Sequence, residues 1–411
     1  MLAGGLQDAE AKSRIITTMQ RWCIQNLGPR LKAVILTGSL ARNEATCRQT
    51  ELGLQFLSDA EFIVIVEDTG EIPSPNVVAL ICRGVEEELH NQGVFCKLSF
   101  GAVHQAFLTN LGETIFGYEL LTCGEVVYGD PDILLKKAQY VPNVCEEDAW
   151  RILANRTVEL LEIVPVLLEG PAQLSETSQY RLTKLYCDMA TSILVFKKEF
   201  VSGYRARADK LCDLQRRGLL SGLAFDADWF VNMVLRCTEY KVTGCRDVDW
   251  PLNSPDSVQL AIDTVRSLWS WELAELDGGE LSSADVMLHQ HMQKQPLRER
   301  IRGWAYVIRR RGIFDSLRHS LRWLGLFRLA SPRYCVYAAA LNAVSTFEFP
   351  ASSQGTSAGN SQGAGQLEAR NSRLEPALSW LPIVNCTVLD KNGMAEAILW
   401  NYREFLVETR A

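Results

Sequence analysis

Two acidic residues near the start of an apolar run are the side chains best placed to do chemistry. Asp59 and Glu61 open the stretch "DAEFIVIVED", whose β-branched residues predict a strand. Successive side chains alternate along a strand, so residues two apart share one face. Two carboxylates on one face can hold Mg²⁺ or Mn²⁺, since Mg²⁺ prefers oxygen ligands and usually bridges to substrate phosphates.

A glycine–serine pair lies at the end of an earlier apolar run. The stretch "LKAVILTGSLAR" predicts a buried strand that ends at Gly38 and Ser39 and turns into a helix. Glycine lets the backbone approach a ligand, and the free N–H groups of a new helix favour an anion such as a triphosphate. Each half has an ordinary alternative, because Gly-Ser turns are common and acidic pairs at strand ends are more often solvated.

The first third of the chain mixes helices and strands. Helical stretches near residues 8–26 and 75–92 alternate with short β-branched runs that end at "EVVYGD". This pattern predicts an α+β domain with a small mixed sheet, over residues 1–142.

From about Glu146 onward, apolar residues recur at helical spacing and no convincing strand follows. Residues 143–411 are therefore predicted to form an all-helical domain. Within it, residues 351–372 are rich in Ser, Gly, Gln and Asn and have few apolar side chains to bury, so they predict a flexible loop.

The bulk composition narrows the functional classes. The net charge of −7 argues against a protein held on nucleic acid by its overall field, since phosphate contacts require concentrated Lys and Arg. The twelve cysteines form no C-x-x-C pair, so the sequence predicts neither a zinc ribbon nor a thioredoxin-like redox motif. Their scattered positions fit a reduced, cytoplasmic setting best. No run approaches the roughly 20 apolar residues of a transmembrane helix.

The order of these motifs resembles the nucleotidyltransferase superfamily, which includes DNA polymerase β and the aminoglycoside nucleotidyltransferases. That family has an apolar strand, Gly-Ser, and then an acidic-x-acidic pair that opens the next strand. Arg42 and Glu44 stand where family members often read Gly-Ser-x-x-Arg-x-Glu. The segment "FGYELLTCGEVVYGDPDILL" is similar to the one that closes many of these domains, and the resemblance covers roughly residues 10 to 140.

The resemblance implies a role for each matching residue. Gly38 and Ser39 would bind the β and γ phosphates, while Asp59 and Glu61 would hold the metal and align the α phosphate for in-line attack. Arg42 would support the triphosphate or the loop; the alternative is a surface salt bridge with Glu44.

In similar two-domain enzymes, the helical domain donates a basic residue to the nucleotide. Lys184 is the candidate here. The alternative is an ion pair with Asp188, four residues further along the same helical face.

Two features depart from the family pattern. The connection from Ser39 to Asp59 is long, and "TCRQTELGLQFL" within it predicts an insertion or an extra half-strand. Family members also place a third acidic residue on the following strand. Here that strand is "VFCKLSF", residues 94–100, and the face with Phe95, Lys97 and Ser99 has no acid. A carboxylate from elsewhere, such as Glu119, would restore the arrangement if it faced the pair.

The resemblance implies a metal-dependent enzyme that transfers a nucleoside monophosphate from an NTP to a small-molecule or protein acceptor and releases pyrophosphate. The alternative is a catalytically impaired nucleotide-binding or scaffold protein on the same fold. A further candidate surface is the basic segment from Pro296 to Arg333, with ten arginines and two acidic residues. It could bind an anionic partner, either phosphate-rich or a membrane surface, or it could be core helices with a solvated cationic face.

Overall fold

The computed structural model of the protein describes residues 2–134, 143–245, 249–346, 375–384 and 390–405. An α+β part comes first and a helical part follows it, which confirms the predicted fold class.

The α+β part is built on seven short strands. They are β1 Leu31–Thr37, β2 Cys47–Thr50, β3 Gly53–Phe56, β4 Ala60–Val66, β5 Val94–Phe95, β6 Leu98–His104 and β7 Glu125–Gly129. Its helices are α1 Leu2–Leu27, α2 Gly38–Ala41, α3 Pro75–Asn91, α4 Ala106–Thr109 and α5 Ile115–Cys123.

The main sheet has the strand order β6-β4-β1-β7. Strands β4 and β7 run antiparallel to β1, while β6 runs parallel to β4. Consequently the end of β1 and the starts of β4 and β6 lie at the same edge of the sheet. Four of the six predicted site residues lie at this edge: Gly38, Ser39, Asp59 and Glu61.

Both faces of the main sheet are covered, which explains why "AVIL" in β1 has no polar residue. Val34 and Leu36 pack in one apolar cluster with α1 and α3, and Ala33 and Ile35 pack in another with α5. A strand buried on both sides reads as a continuous apolar run rather than as an alternating one.

The predicted insertion is a hairpin of β2 and β3, which joins β5 in a second sheet. The strand predicted over residues 94–100 is therefore wrong as a single element. It breaks after Phe95, so β5 pairs with β3 in the second sheet and β6 pairs with β4 in the main sheet.

The helical part is arranged around one long buried helix. Its helices are α6 Glu146–Leu160, α7 Val164–Leu168, α8 Glu176–Phe196, α9 Tyr204–Arg216, α10 Ala227–Thr243, α11 Pro255–Asp277, α12 Ala284–Lys294, α13 Leu297–Arg311, α14 Ile313–Leu329, α15 Pro332–Thr346, α16 Glu375–Ser379 and α17 Lys391–Phe405. Helix α8 packs against α6, α9, α10 and α11, and nearly all its side chains from Leu182 to Val195 are buried. Large aromatic residues, among them Trp150 and Trp269, fill the space around it.

The predicted helices near residues 8–26 and 75–92 correspond to α1 and α3. The predicted boundary at residue 142 and the predicted loop at 351–372 lie outside the described residues. None of the helices in the described ranges is long and apolar enough to cross a membrane.

Candidate active site at the sheet edge

The structure brings the Gly-Ser turn and one predicted carboxylate into direct contact. Thr37, the last residue of β1, pairs with Glu61 on β4. Gly38 follows with a φ of +68°, and a methyl group built on it would lie 2.8 Å from Glu61 Oε2. Only glycine leaves room for this carboxylate against the turn, because any side chain would be strained by the positive φ and would crowd the oxygen.

Asp59 lies just before β4, two residues from Glu61, and both side chains are exposed. Among the described residues, neither carboxylate has an ion-pair or side-chain hydrogen-bond partner. Burial raises the pKa of the neighbouring Cys96 thiol to about 12, and the negative charge of Asp59 adds to the rise. Because both carboxylates are exposed, a ligand can reach them.

The position beside the acidic pair on the next strand is Ser99, which is in register with Glu61 on β6 and exposed. Lys97, two residues earlier, is exposed at the same edge. Glu119 does not supply the missing acid, since both of its carboxylate oxygens contact arginines. Within the described part of the chain, no group of three or more His, Cys, Asp or Glu side chains could hold a metal ion.

A divalent cation nonetheless fits the chemistry of this edge in one specific way. Mg²⁺ is usually bound by one or two carboxylates together with substrate phosphates and waters, rather than by a complete protein cage. Asp59 and Glu61 supply two such carboxylates, and the Ser39 hydroxyl, which has no partner among the described residues, adds a polar oxygen at the turn. These three groups are oxygen donors, the type of ligand that Mg²⁺ prefers.

Arg42 lies in a buried ion-pair cluster instead of reaching the edge. Its Nη1 donates to Glu119 Oε2 at 2.7 Å and its Nε to Glu44 Oε2 at 3.3 Å, with a side chain only 6% exposed. Burial alone would lower the pKa of Arg42, but the Glu119 and Glu44 carboxylates raise it. The salt bridge with Glu44 therefore forms, although it is buried rather than on the surface.

The same cluster joins the two parts of the protein. Glu44 accepts hydrogen bonds from the backbone N–H groups of Tyr204 at 2.8 Å and Arg205 at 3.2 Å, so it caps the start of α9. Arg207, on the first turn of α9, contacts the other oxygen of Glu119. A carboxylate at a helix N-terminus is stabilised by the free N–H groups there.

Lys184, on α8, is half-buried and has no ion pair or hydrogen bond among the described residues. The alternative pairing with Asp188 is not formed, since Asp188 Oδ2 accepts from Arg156 Nε at 2.7 Å. The positive charge of Arg156, and then burial, lower the pKa of Lys184. Tyr180, one turn earlier on α8, lies 3.1 Å from the hydroxyl of Ser58, the residue before Asp59.

A second contact between the parts has a buried lysine at its centre. Lys241 Nζ donates to Ser58 Oγ at 2.8 Å and to Thr46 Oγ1 at 3.1 Å. The rings of Tyr180 and Tyr204 lie 5.4 Å and 5.3 Å from the ammonium, within the range of cation–π attraction. This contact fixes the backbone just before Asp59 against the helical part.

The sequence did not indicate the contacts that hold the segments around the acidic pair against the helical part. Glu44, Ser58, Tyr180, Arg207 and Lys241 hold the segments around the acidic pair in place. The "ARNE" motif gave a signal for Glu44, but nothing in the sequence places residue 58 next to residue 241.

No protein family model and no curated protein matches the sequence. Among solved structures, the chain is similar to the crystal structure of a nucleotidyltransferase-like protein from Exiguobacterium sibiricum 255-15. The two are 11% identical, the match covers 67% of this chain and 78% of that chain, and the TM-score is 0.22. A similarity with this identity and TM-score does not support a functional assignment. The functional interpretation therefore depends on the residues of this chain.

Proposed function

We propose that this protein is a nucleotidyltransferase. It transfers a nucleoside monophosphate from an NTP to a hydroxyl or similar group of a small-molecule or protein acceptor, and pyrophosphate leaves. The observation that supports this most is the contact between the Glu61 carboxylate and the Gly38 turn, with Asp59 two residues away and neither acid paired with any residue that the structure describes.

In this proposal, each residue of the edge has a defined task. The backbone of Gly38 and the Ser39 hydroxyl bind the phosphates, and Asp59 and Glu61 hold Mg²⁺ or Mn²⁺. When bound, the metal supplies charge neutralisation to the triphosphate. Lys184 adds a positive charge from the helical side. Catalysis then depends on alignment and electrostatics, and the buried contacts of Ser58 with Tyr180 and Lys241 keep the acids in position.

Arg42 is proposed here as a positioning residue rather than a phosphate ligand. Its guanidinium contacts Glu44 and Glu119, and a ligand would have to break these contacts to use it. Its contribution is to hold the loop after the Gly-Ser turn.

A second candidate function is supported by one observation, the serine at the third position. Ser99 cannot take up the proton of an attacking hydroxyl as a carboxylate would. A protein that binds Mg-NTP without turnover, as a sensor or a scaffold, is consistent with that residue.

The two functions are separated by incubating the protein with Mg²⁺ or Mn²⁺ and each labelled NTP, then measuring pyrophosphate release and nucleotide binding. Release in the presence of an acceptor pool supports the enzyme. Binding without release supports the sensor, and absence of binding contradicts both.

The residue assignment is tested with Glu61→Gln. We expect metal-dependent nucleotide binding or turnover to fall by about a hundredfold or more, since a charged group at the reacting phosphates is lost. The matched control is Glu71→Gln, an exposed glutamate beyond the other end of β4 that has no partner among the described residues. An equal loss in both variants would show that Glu61 has no specific role in binding or turnover.

A further inference from the structure

The basic segment noted in the sequence folds as a hairpin of α13 and α14. The two helices are joined by the single residue Gly312, with a φ of +81°. Trp304 on α13 lies beside Trp323 on α14, with ring centroids 5.7 Å apart, and Arg300 Nη1 donates to the carbonyl of Arg328 at 2.9 Å. These contacts show that the helices run antiparallel.

One face of the hairpin is fully used by the fold. The indole N–H of Trp304 donates to the Ala330 carbonyl and that of Trp323 to the Pro382 carbonyl, both at 2.9 Å. Two arginines also serve this inner face: Arg310 pairs with Glu404 on α17, and Arg322 donates to the Leu381 carbonyl. The interpretation as core helices is thus correct for this half of the hairpin.

The outer face has a different composition. Large aliphatic side chains are exposed on both helices, with Leu321 88% and Leu297 61% accessible. Among the hairpin side chains that the structure describes, the exposed large aliphatic ones are Leu297, Ile301, Ile308, Leu321 and Leu324. Four exposed arginines accompany them, and in the described ranges their side chains have no hydrogen bond or ion pair: Arg298, Arg302, Arg309 and Arg328.

The charge of this face is unusual for the chain, whose net charge is −7. Glu299, the one acid of the segment whose side chain is described, lies 3.8 Å from Arg151. A cationic face repels a second copy of itself and attracts an anionic surface. Its partner should therefore be negatively charged and able to take up aliphatic side chains.

An anionic bilayer meets both requirements better than a nucleic acid does. Single-stranded nucleic acid is bound by aromatic side chains that stack on bases, but both tryptophans of the hairpin are buried on the inner face. Leucine and isoleucine gain free energy in the outer acyl region, while arginines reach the headgroups with their long side chains.

We propose that the outer face of α13 and α14 docks the protein peripherally on an anionic lipid surface. Its aliphatic side chains enter the boundary between headgroups and acyl chains, and Arg298, Arg302 and Arg309 contact lipid phosphates. This inference is independent of the proposed nucleotidyltransferase activity.

The test is flotation of the whole protein with vesicles of phosphatidylcholine alone and with vesicles of equal parts phosphatidylcholine and phosphatidylglycerol. We expect the protein to float with the anionic vesicles and not with the neutral ones. Both R298Q/R302Q/R309Q and I301S/L321S should lower the partition coefficient by about tenfold or more, because each removes one of the two required contributions.

Matched controls keep the test specific. R30Q/R83Q/R216Q removes the same number of exposed arginines elsewhere, and L260S/L281S removes two exposed leucines elsewhere. Both should bind within about twofold of the unmodified protein. Circular dichroism checks that every variant is folded.

Three results would overturn the proposal. The first is absence of flotation with anionic vesicles. The second is a loss in the arginine variant but none in I301S/L321S, which would mean attraction of anions by charge alone. The third is an equal loss in the control variants, which would mean that the hairpin has no special part in binding.

Discussion

Two groups of charged residues lie close to the Gly-Ser turn in the fold and differ in environment. Asp59 and Glu61 are exposed and have no partners among the described residues, whereas Arg42, Glu44, Glu119 and Arg207 are paired with one another between the two parts. Exposed charges keep their hydration and can exchange water for a ligand. Buried charges depend on their partners, so losing one leaves another uncompensated.

The difference in environment indicates two different roles, a structural one for the buried charges and a ligand-binding one, which we propose, for the exposed charges. The buried cluster and the Lys241 contact hold the segments before and after the acidic pair in place, while the two acids themselves are exposed. Stability should therefore be sensitive to changes in the buried group, and the proposed activity to changes in the exposed group.

The largest expected effect on stability comes from Glu119→Gln. It removes the carboxylate charge shared by Arg42 and Arg207, and we expect a loss of about 3 kcal/mol in the free energy of unfolding. Urea titration followed by circular dichroism measures it. The control is Glu10→Gln, which breaks the exposed Glu10–Arg14 pair and should cost less than about 0.5 kcal/mol. Similar losses in the two variants would end the distinction between buried and exposed pairs.

Glu272, on α11, offers a third case, a carboxyl group that is buried and unpaired. Neither of its oxygens has a hydrogen-bond partner among the described residues, and burial raises its pKa to about 8, with Ser192 nearby opposing the rise. The folded protein therefore keeps a proton that the unfolded chain loses at about pH 4.5. The contribution of Glu272 to the free energy of unfolding is fully present below that pH and is lost as pH rises towards 8.

We expect a decline of up to about 1.4 kcal/mol per pH unit in this window from Glu272 alone. Glu272→Gln, which has nothing to titrate, should remove that share of the slope. The measurement is the urea unfolding midpoint of both proteins at several pH values between 4.5 and 8. Parallel curves for the two proteins would show that Glu272 is not protonated in the folded state.

Gly38→Ala tests the contact between the Gly-Ser turn and the Glu61 carboxylate. Alanine at a φ of +68° costs about 1 kcal/mol, and its methyl group would also displace the Glu61 carboxylate. The control is Gly170→Ala, which has a φ of +67° but nothing within 4 Å of the added methyl group. Both variants should lose similar stability, while only Gly38→Ala should weaken Mg-NTP binding in a calorimetric titration. Equal nucleotide binding in both would separate the turn from the ligand site.

The smallest expected change in stability belongs to Glu61→Gln itself. Because this carboxylate is exposed and forms no ion pair with a residue in the described ranges, its loss should alter the free energy of unfolding by less than about 0.5 kcal/mol. A loss of several kcal/mol would show that Glu61 is a structural residue, and any drop in activity would then have a different cause.

Some of the site was predictable because its residues are close in sequence or in predictable strands. The apolar runs before Gly38 and after Asp59 gave β1 and β4, and their pairing follows from the sheet. The interruption between Phe95 and Leu98 was not predictable from the same kind of pattern, since a two-residue strand is decided by its partner β3 rather than by its own residues.

Arg42 and Lys184 illustrate what local patterns leave open. The sequence offered Glu44 as a partner of Arg42, and the pair forms. The second carboxylate that contacts Arg42 belongs to Glu119, 77 positions away, and the sequence did not indicate that contact or the burial of the pair. For Lys184, the spacing offered Asp188, yet Arg156 from another helix takes that carboxylate.

The α+β and helical parts, and the strand ends that carry Gly38, Asp59 and Glu61, can be read from the sequence, because they depend on local periodicity and glycine conformation. Which charges are buried and paired depends on the tertiary fold. Contacts such as Glu44 with the start of α9, or Ser58 with Lys241, join residues more than 150 positions apart. Their formation depends on how the two parts pack, and no spacing along the chain encodes that.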